Sequence, residues 1–92
     1  MAIREGEIIC DVQELPAPEP MQKILAVVAD VGVGEYVRMM HRMEPHPLYA
    51  VLEDMGFQHI LYLDGEAPYE IMIYNKNDAL ALQRVEAACG RS

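Results

Sequence analysis

The chain has 92 residues, 52% of them hydrophobic and 24% charged. That is one small domain with enough apolar content for a core, and too much for a disordered chain. No apolar run approaches the roughly 20 residues that cross a bilayer, and the start, MAIREGEIIC, has no long apolar stretch of the secretory kind, so a cytoplasmic protein is expected. A net charge of −8 repels phosphate backbones and anionic lipid, so neither nucleic acid nor a membrane is expected as a partner.

Taken in order, residues 7–12, EIICDV, read as a buried strand. Pro16, Pro18 and Pro20 then forbid a regular element, and Pro20 suits the first position of a helix, where its missing N–H is no loss. Met21, Ile24, Leu25, Val28 and Val31 follow at helical spacing, with Gln22, Lys23 and Asp30 off that stripe. Gly32 and Gly34 are expected to end the helix, since glycine accepts a left-handed C-cap.

Residues 35–41, EYVRMMH, read as a second strand, and RMEPHP as a loop. A second helix starts near Pro47 and stops at Gly56. Residues 57–63 and 69–74, FQHILYL and YEIMIY, are two strands of a hairpin closed by DGEAP. Asn77 is placed to cap a last helix, DALALQRVEAA, before a polar GRS end. The whole is a single domain over 1–92, with a core of 7–75 and a helical extension of 77–89. The order β-α-β-α-β-β predicts crossover connections with two helices on one sheet face, a two-layer α+β sandwich with a mixed four-stranded sheet, plus the C-terminal helix.

The cysteines, Cys10 and Cys89, lie at opposite ends of the chain and form no CxxC, so neither a disulfide, zinc nor a redox centre is indicated. Cys10 is expected in the core and Cys89 in a frayed tail. Serine occurs only as Ser92, threonine and tryptophan are absent, and no glycine-rich phosphate loop is present. Gly32-Val33-Gly34 follows a helix and is a turn. These absences argue against an enzyme, as does the bland reading of Glu19 as a complement to a helix dipole.

Cys10-Asp11-Val12-Gln13-Glu14-Leu15-Pro16-Ala17-Pro18-Glu19-Pro20 resembles the start of the TusA-like (SirA-like) sulfur carriers. In those proteins a strand ends in an aspartate and Cys-Pro-x-Pro opens the first helix. Pro18-Glu19-Pro20 matches the Pro-x-Pro, and Ala17 stands where the carrier cysteine would be. Gly34-Glu35, His41-Arg42-Met43-Glu44-Pro45-His46-Pro47-Leu48-Tyr49 and Gly56-Phe57 resemble a sister family of uncharacterised bacterial and archaeal proteins with PPPEP and EPxPL signatures. The likeness covers roughly residues 8–75. It implies a TusA-like fold with no sulfur-carrier cysteine.

If the first two strands are parallel, both following loops leave the same sheet edge, the usual place for ligands in α/β sheets. Loops 13–20 and 41–47 are then neighbours. The candidate ligand-binding residues are Ala17, Pro18, Glu19, Pro20, Arg38, His41, Glu44 and His46. Glu19, His41, Glu44 and His46 together could supply a divalent cation or haem, with His41 and His46 the weak metal candidates. Their spacing matches no metal signature, and no cofactor is expected. Met39, Met40 and Met43 suggest copper less than core filling. His59, alternating with apolar neighbours, reads as structural.

Gln58, Ile60, Tyr62, Glu70, Met72 and Tyr74 share the sheet face opposite the helices. Either the last helix covers them, through Leu80, Leu82 and Val85, or a second chain does, as in a homodimer. Three roles remain open: a non-catalytic adaptor for an unknown protein partner or small ligand, a sulfur-relay or redox accessory, and a small metal or haem binder.

Overall fold

A computed structural model describes residues 4–90. Ser92 and the first three residues of the start lie outside that range. Seven elements occur: β1 (Glu7–Asp11), α1 (Glu19–Ala29), β2 (Tyr36–His41), α2 (His46–Asp54), β3 (Phe57–Tyr62), β4 (Tyr69–Asn75) and α3 (Ala79–Ala88). The sheet order is β1-β2-β4-β3. β1 pairs parallel with β2, and β4 runs antiparallel to both β2 and β3. β1, β2 and β3 therefore run the same way, and β4 folds back from its hairpin into the gap between the second and third. The mixed α+β sheet expected from the element order is the one found.

Side-chain alternation sends each strand's residues to two separate cores. On one face Cys10, Val37, Met39, Ile71 and Ile73 meet Ile24 and Val28 of α1 and Leu48 and Leu52 of α2. On the other, Tyr36, Met72 and Tyr74 meet Ala81 and Val85 of α3. The central strand β4 is covered on both sides, which explains why IMIY is an unbroken apolar run rather than an alternating one. The face left open between α3 and a second chain is thus covered by α3. Its contacts come from Ala81 and Val85, with Leu82 partly buried, whereas Leu80 is 43% exposed and lies over the turn at Gly34.

Three local expectations are corrected. α1 ends at Ala29 with Asp30 as its C-cap, before either glycine. Of these two glycines Gly34 is left-handed, at φ +77°; Gly32 is not, and its N–H donates to Glu35 Oε1 at 2.7 Å. The α3 cap is Asp78 rather than Asn77: its carboxylate accepts from the Ala81 N–H at 3.0 Å and, with its other oxygen, from the Gly34 N–H at 2.6 Å. One side chain thereby caps α3 and ties it to the turn before β2. Cys89 is not in a frayed tail but forms the C-cap of α3, partly packed on the second core. Cys10 is buried in the first core as expected, and neither cysteine is in a disulfide. α1 starts one residue before Pro20 and α2 one before Pro47, the ordinary uncertainty of helix ends.

Candidate functional site

Because β1 and β2 are parallel, their C-terminal ends meet at one sheet edge. The loops that follow converge there around a cleft of about 260 Å³. Ala17, Pro18, Pro20 and Met21 form one wall at the start of α1. Met43, Glu44, Pro45, Pro47 and Leu48 form the other at the start of α2, and Met39 and His41 of β2 reach it from the sheet. Met39 and His41 are two apart, so they share the face that carries α1 and α2. The lining is apolar except for His41 and Glu44.

Both helices start on proline: Pro18 is the N-cap of α1 and Pro45 of α2, and neither start has a side-chain cap. Proline has no side-chain acceptor to give to an orphan N–H. The positive ends of two helices therefore border the cleft without the usual serine or aspartate over them. The Ala17–Pro18 peptide is cis.

His41 is 7% exposed. Its Nδ1 accepts the Arg42 backbone N–H at 2.9 Å. A neutral imidazole that accepts at one nitrogen carries its proton on the other, so Nε2–H is a donor. Burial, and then the nearby Arg42 charge, hold the His41 pKa below its ordinary value. His41 thus sets a polar group in an otherwise apolar wall.

Glu44 is held from behind. The Tyr49 hydroxyl donates to its Oε2 at 3.0 Å, and His46 Nε2 lies 3.4 Å from its Oε1. Tyr49 in turn stacks on His59, with ring centres 3.8 Å apart and planes 6° apart, while His46 meets it edge-on at 5.9 Å. His59, read from the sequence as structural, forms the base of this stack. Burial lowers its pKa, against the opposing pull of the Glu44 charge.

The structure brings Ala17, Pro18, Pro20, His41 and Glu44 together at the cleft. Glu19 sits in the first turn of α1, exposed, and does not line it. His46 stands outside with its side chain 73% exposed. Arg38 does not join the site at all. It alternates to the opposite face, where its Nε donates to Glu70 Oε1 at 2.6 Å and its Nη1 lies 3.7 Å from Glu7 Oε1. The four-ligand set of Glu19, His41, Glu44 and His46 is not assembled either. Among the described residues no three His, Cys, Asp or Glu side chains are grouped to hold a metal.

Two features escaped the sequence. The cleft walls at Met21, Met43 and Leu48 read there only as core or loop. The period-two placement of Met39 and His41 was the signal that joined the sheet to the loops. The second is a buried polar network on the α3 face. Glu70 is fully buried and accepts from Arg38 and from the Ala67 N–H at 3.0 Å, while the Tyr36 hydroxyl donates to Glu7 Oε2 at 2.7 Å. A side chain at Gly65 would overlap the Glu70 carboxylate, so the 63–68 loop closes tightly over it.

Residues 9–75 match the family described as "Uncharacterized conserved protein (DUF2249)". The chain belongs to the DUF2249 family. The shared segment runs from β1 through β4 and contains both loops of the cleft, the Arg38–Glu70 pair and the Tyr49 stack; α3 lies beyond it. The DUF2249 match itself says nothing of TusA-like proteins. No curated protein and no solved structure is significantly similar to the chain.

Proposed function

We propose that this DUF2249 protein is a non-catalytic binding module of TusA-like architecture, acting in the cytoplasm, which takes an apolar group into the cleft between residues 17–21 and 39–48. The observation that carries the reading is the convergence of both proline-started helices on an apolar cleft that holds the buried His41. The β-α-β-α-β-β order and the Pro-x-Pro at 18–20 support the TusA-like architecture. Sulfur carriage needs a thiolate at the helix mouth, since the thiolate is the attacking species. Ala17 supplies none, and Cys10 is buried in the core with its pKa raised by that burial. An accessory role in sulfur transfer would have to draw its thiol from another protein.

Size weighs against a cofactor. Sites for small molecules and cofactors usually measure roughly 300–1,000 Å³, and this cleft, at about 260 Å³, is closer to one large side chain.

Amide NMR of the reduced protein tests the reading. N-acetyl-phenylalanine amide should shift residues 17–21 and 39–48 together, and Ala17→Trp, which fills the cleft from an exposed position, should abolish the effect. Shifts there on near-equimolar Zn²⁺, Ni²⁺, Cu⁺ or haem instead, lost in His46→Ala, would replace this reading with a metal or haem site.

A further inference from the structure

The cleft has a charged setting that says what kind of partner would use it. The loop of its first wall, 11–19, carries Asp11, Glu14 and Glu19, all exposed. The loop of its second wall carries Glu44, against a single exposed guanidinium on Arg42. Only Glu44 of these lines the cleft; Asp11 and Glu14 border a neighbouring hollow, and Glu19 stands beside the mouth of α1, with Lys23 exposed one turn further on. The acidic excess thus flanks the cleft rather than lining it, in a chain whose overall charge is −8. Glu19 complements the start of α1, and Glu44 is held by the Tyr49 hydroxyl. Asp11 and Glu14 have no helix to complement; Asp11 accepts only from its own neighbour Gln13, at 3.1 Å.

The apolar part is adaptable. Met21 and Met43 contribute flexible thioether side chains above the fully buried Met39, and methionine-lined surfaces repack around differently shaped guests. Met43 is also 59% exposed, an apolar side chain at the lip without cover.

We infer that the partner of this cleft is a basic protein segment that seats one large apolar side chain between α1 and α2 and sets flanking lysines or arginines against the carboxylates of the two loops. The inference rests on the cleft being a binding site, as proposed above, and adds the class of occupant. Each part has its own source. The volume admits one side chain, the methionines accommodate its shape, His41 Nε2–H meets an acceptor atom on the incoming segment, and the acidic loops select its charge. An acidic segment would meet like charge at Asp11, Glu14, Glu19 and Glu44, which costs affinity and slows encounter.

Three short capped peptides test it on the full-length protein: Lys-Lys-Phe-Lys-Lys, Glu-Glu-Phe-Glu-Glu and Lys-Lys-Ala-Lys-Lys, with the neutral N-acetyl-phenylalanine amide as reference. Amide shifts at 17–21 and 39–48 report occupancy. The basic phenylalanine peptide should bind most tightly. Its alanine version should lose about tenfold or more, the worth of burying one aromatic side chain. Raising ionic strength from about 0.01 M to about 1 M, which shortens the screening length from roughly 30 to 3 Å, should weaken it strongly. The double variant Glu14→Lys, Glu19→Lys should reverse the preference toward the acidic peptide. Should the acidic peptide bind as well as the basic one, with the neutral reference still in the cleft, the basic-partner inference fails while the binding site stands. Should the alanine peptide bind as well as phenylalanine, the contact is surface charge alone and the seating of a side chain is wrong. Should neither the reference nor any peptide move these residues, both readings fall.

Discussion

Ala17 lies in the cleft wall at the mouth of α1, one residue before the helix cap. A thiol placed there gains from the uncapped helix start, while Glu19 two residues on opposes it. The helix wins if the scaffold is that of a thiol site. Ala17→Cys should therefore give a cysteine with a pKa below the ordinary value of about 8.5. Alkylation rate against pH, mapped by mass spectrometry to separate it from Cys10 and Cys89, measures this. A value at or above the ordinary one would mean that these loops do not favour a thiolate. Glu70 makes the opposite kind of residue-scale case. Burial alone would raise its pKa, but the Arg38 guanidinium and the N–H groups of Ala67 and Glu66 hold it below the usual carboxylate value. Removing one partner of a buried pair costs roughly 3–5 kcal/mol, because the other charge is left uncompensated. Glu70→Ala should lose about that much in urea unfolding. The double change Arg38→Met, Glu70→Leu should recover only part of it, since it strands no charge at position 70 but takes the guanidinium from Glu7, whose side chain is 2% exposed.

At the scale of elements, α3 shows which parts of the fold the sequence disclosed. Helix and strand identities followed from period and punctuation: Pro20 and Pro47 near helix starts, Gly56 at a stop, alternation along 57–62. The faces of β3 and β4 were also readable, because a strand's side chains alternate strictly. What covers a face was not, since several apolar stripes of a short helix fit equally well. Leu80 looked as suitable as Val85, and the long-range bonds to the Gly34 turn, from Asp78 to its N–H and from the Arg84 guanidinium to its carbonyl at 2.7 Å, fix the rotation that buries Ala81 and Val85. Val85→Ala should accordingly cost about 1–3 kcal/mol, and Leu80→Ala clearly less, in thermal or urea unfolding; equal costs would show that α3 sits in a different rotation. The candidate site was legible to the same depth. Parallel strands placed its two loops together, but the sheet face of Arg38 was lost because it was counted by nearness in sequence rather than by alternation. The Tyr49–His59 stack joins α2 to β3, and no local pattern announces such a long-range pair.

The molecule as a whole should respond to acid in two stages. His41 and His59 have pKa values lowered by burial. Unfolding returns each to about 6.5, so the unfolded chain binds more protons below that pH. Their contribution is complete above it and is lost as pH falls toward the folded values. Glu70, lowered as well, stabilises the fold above the unfolded carboxylate value of about 4.3 and is lost as pH falls through its own depressed value. Melting temperature against pH should thus begin to fall just below about 6.5 and steepen in the carboxylate range. His41→Gln with His59→Gln should flatten the first part and leave the second. A single decline confined to the carboxylate range in the unaltered protein would contradict this.

The position of β4 also fixes an order of events. β3 has no strand partner except β4, and β2 meets β3 only through it. A chain emerging from the ribosome can pair β1 with β2 early, but residues 57–62 must wait, unpaired, until 69–75 have followed them out. Val37, Met39, Phe57 and Leu61 are exposed for that interval on strands whose hydrogen bonds are incomplete, the condition in which strands find wrong partners. The short 63–68 connection keeps the wait brief: the missing strand arrives within a few residues of the one that needs it, and the sheet closes from its far edge inward.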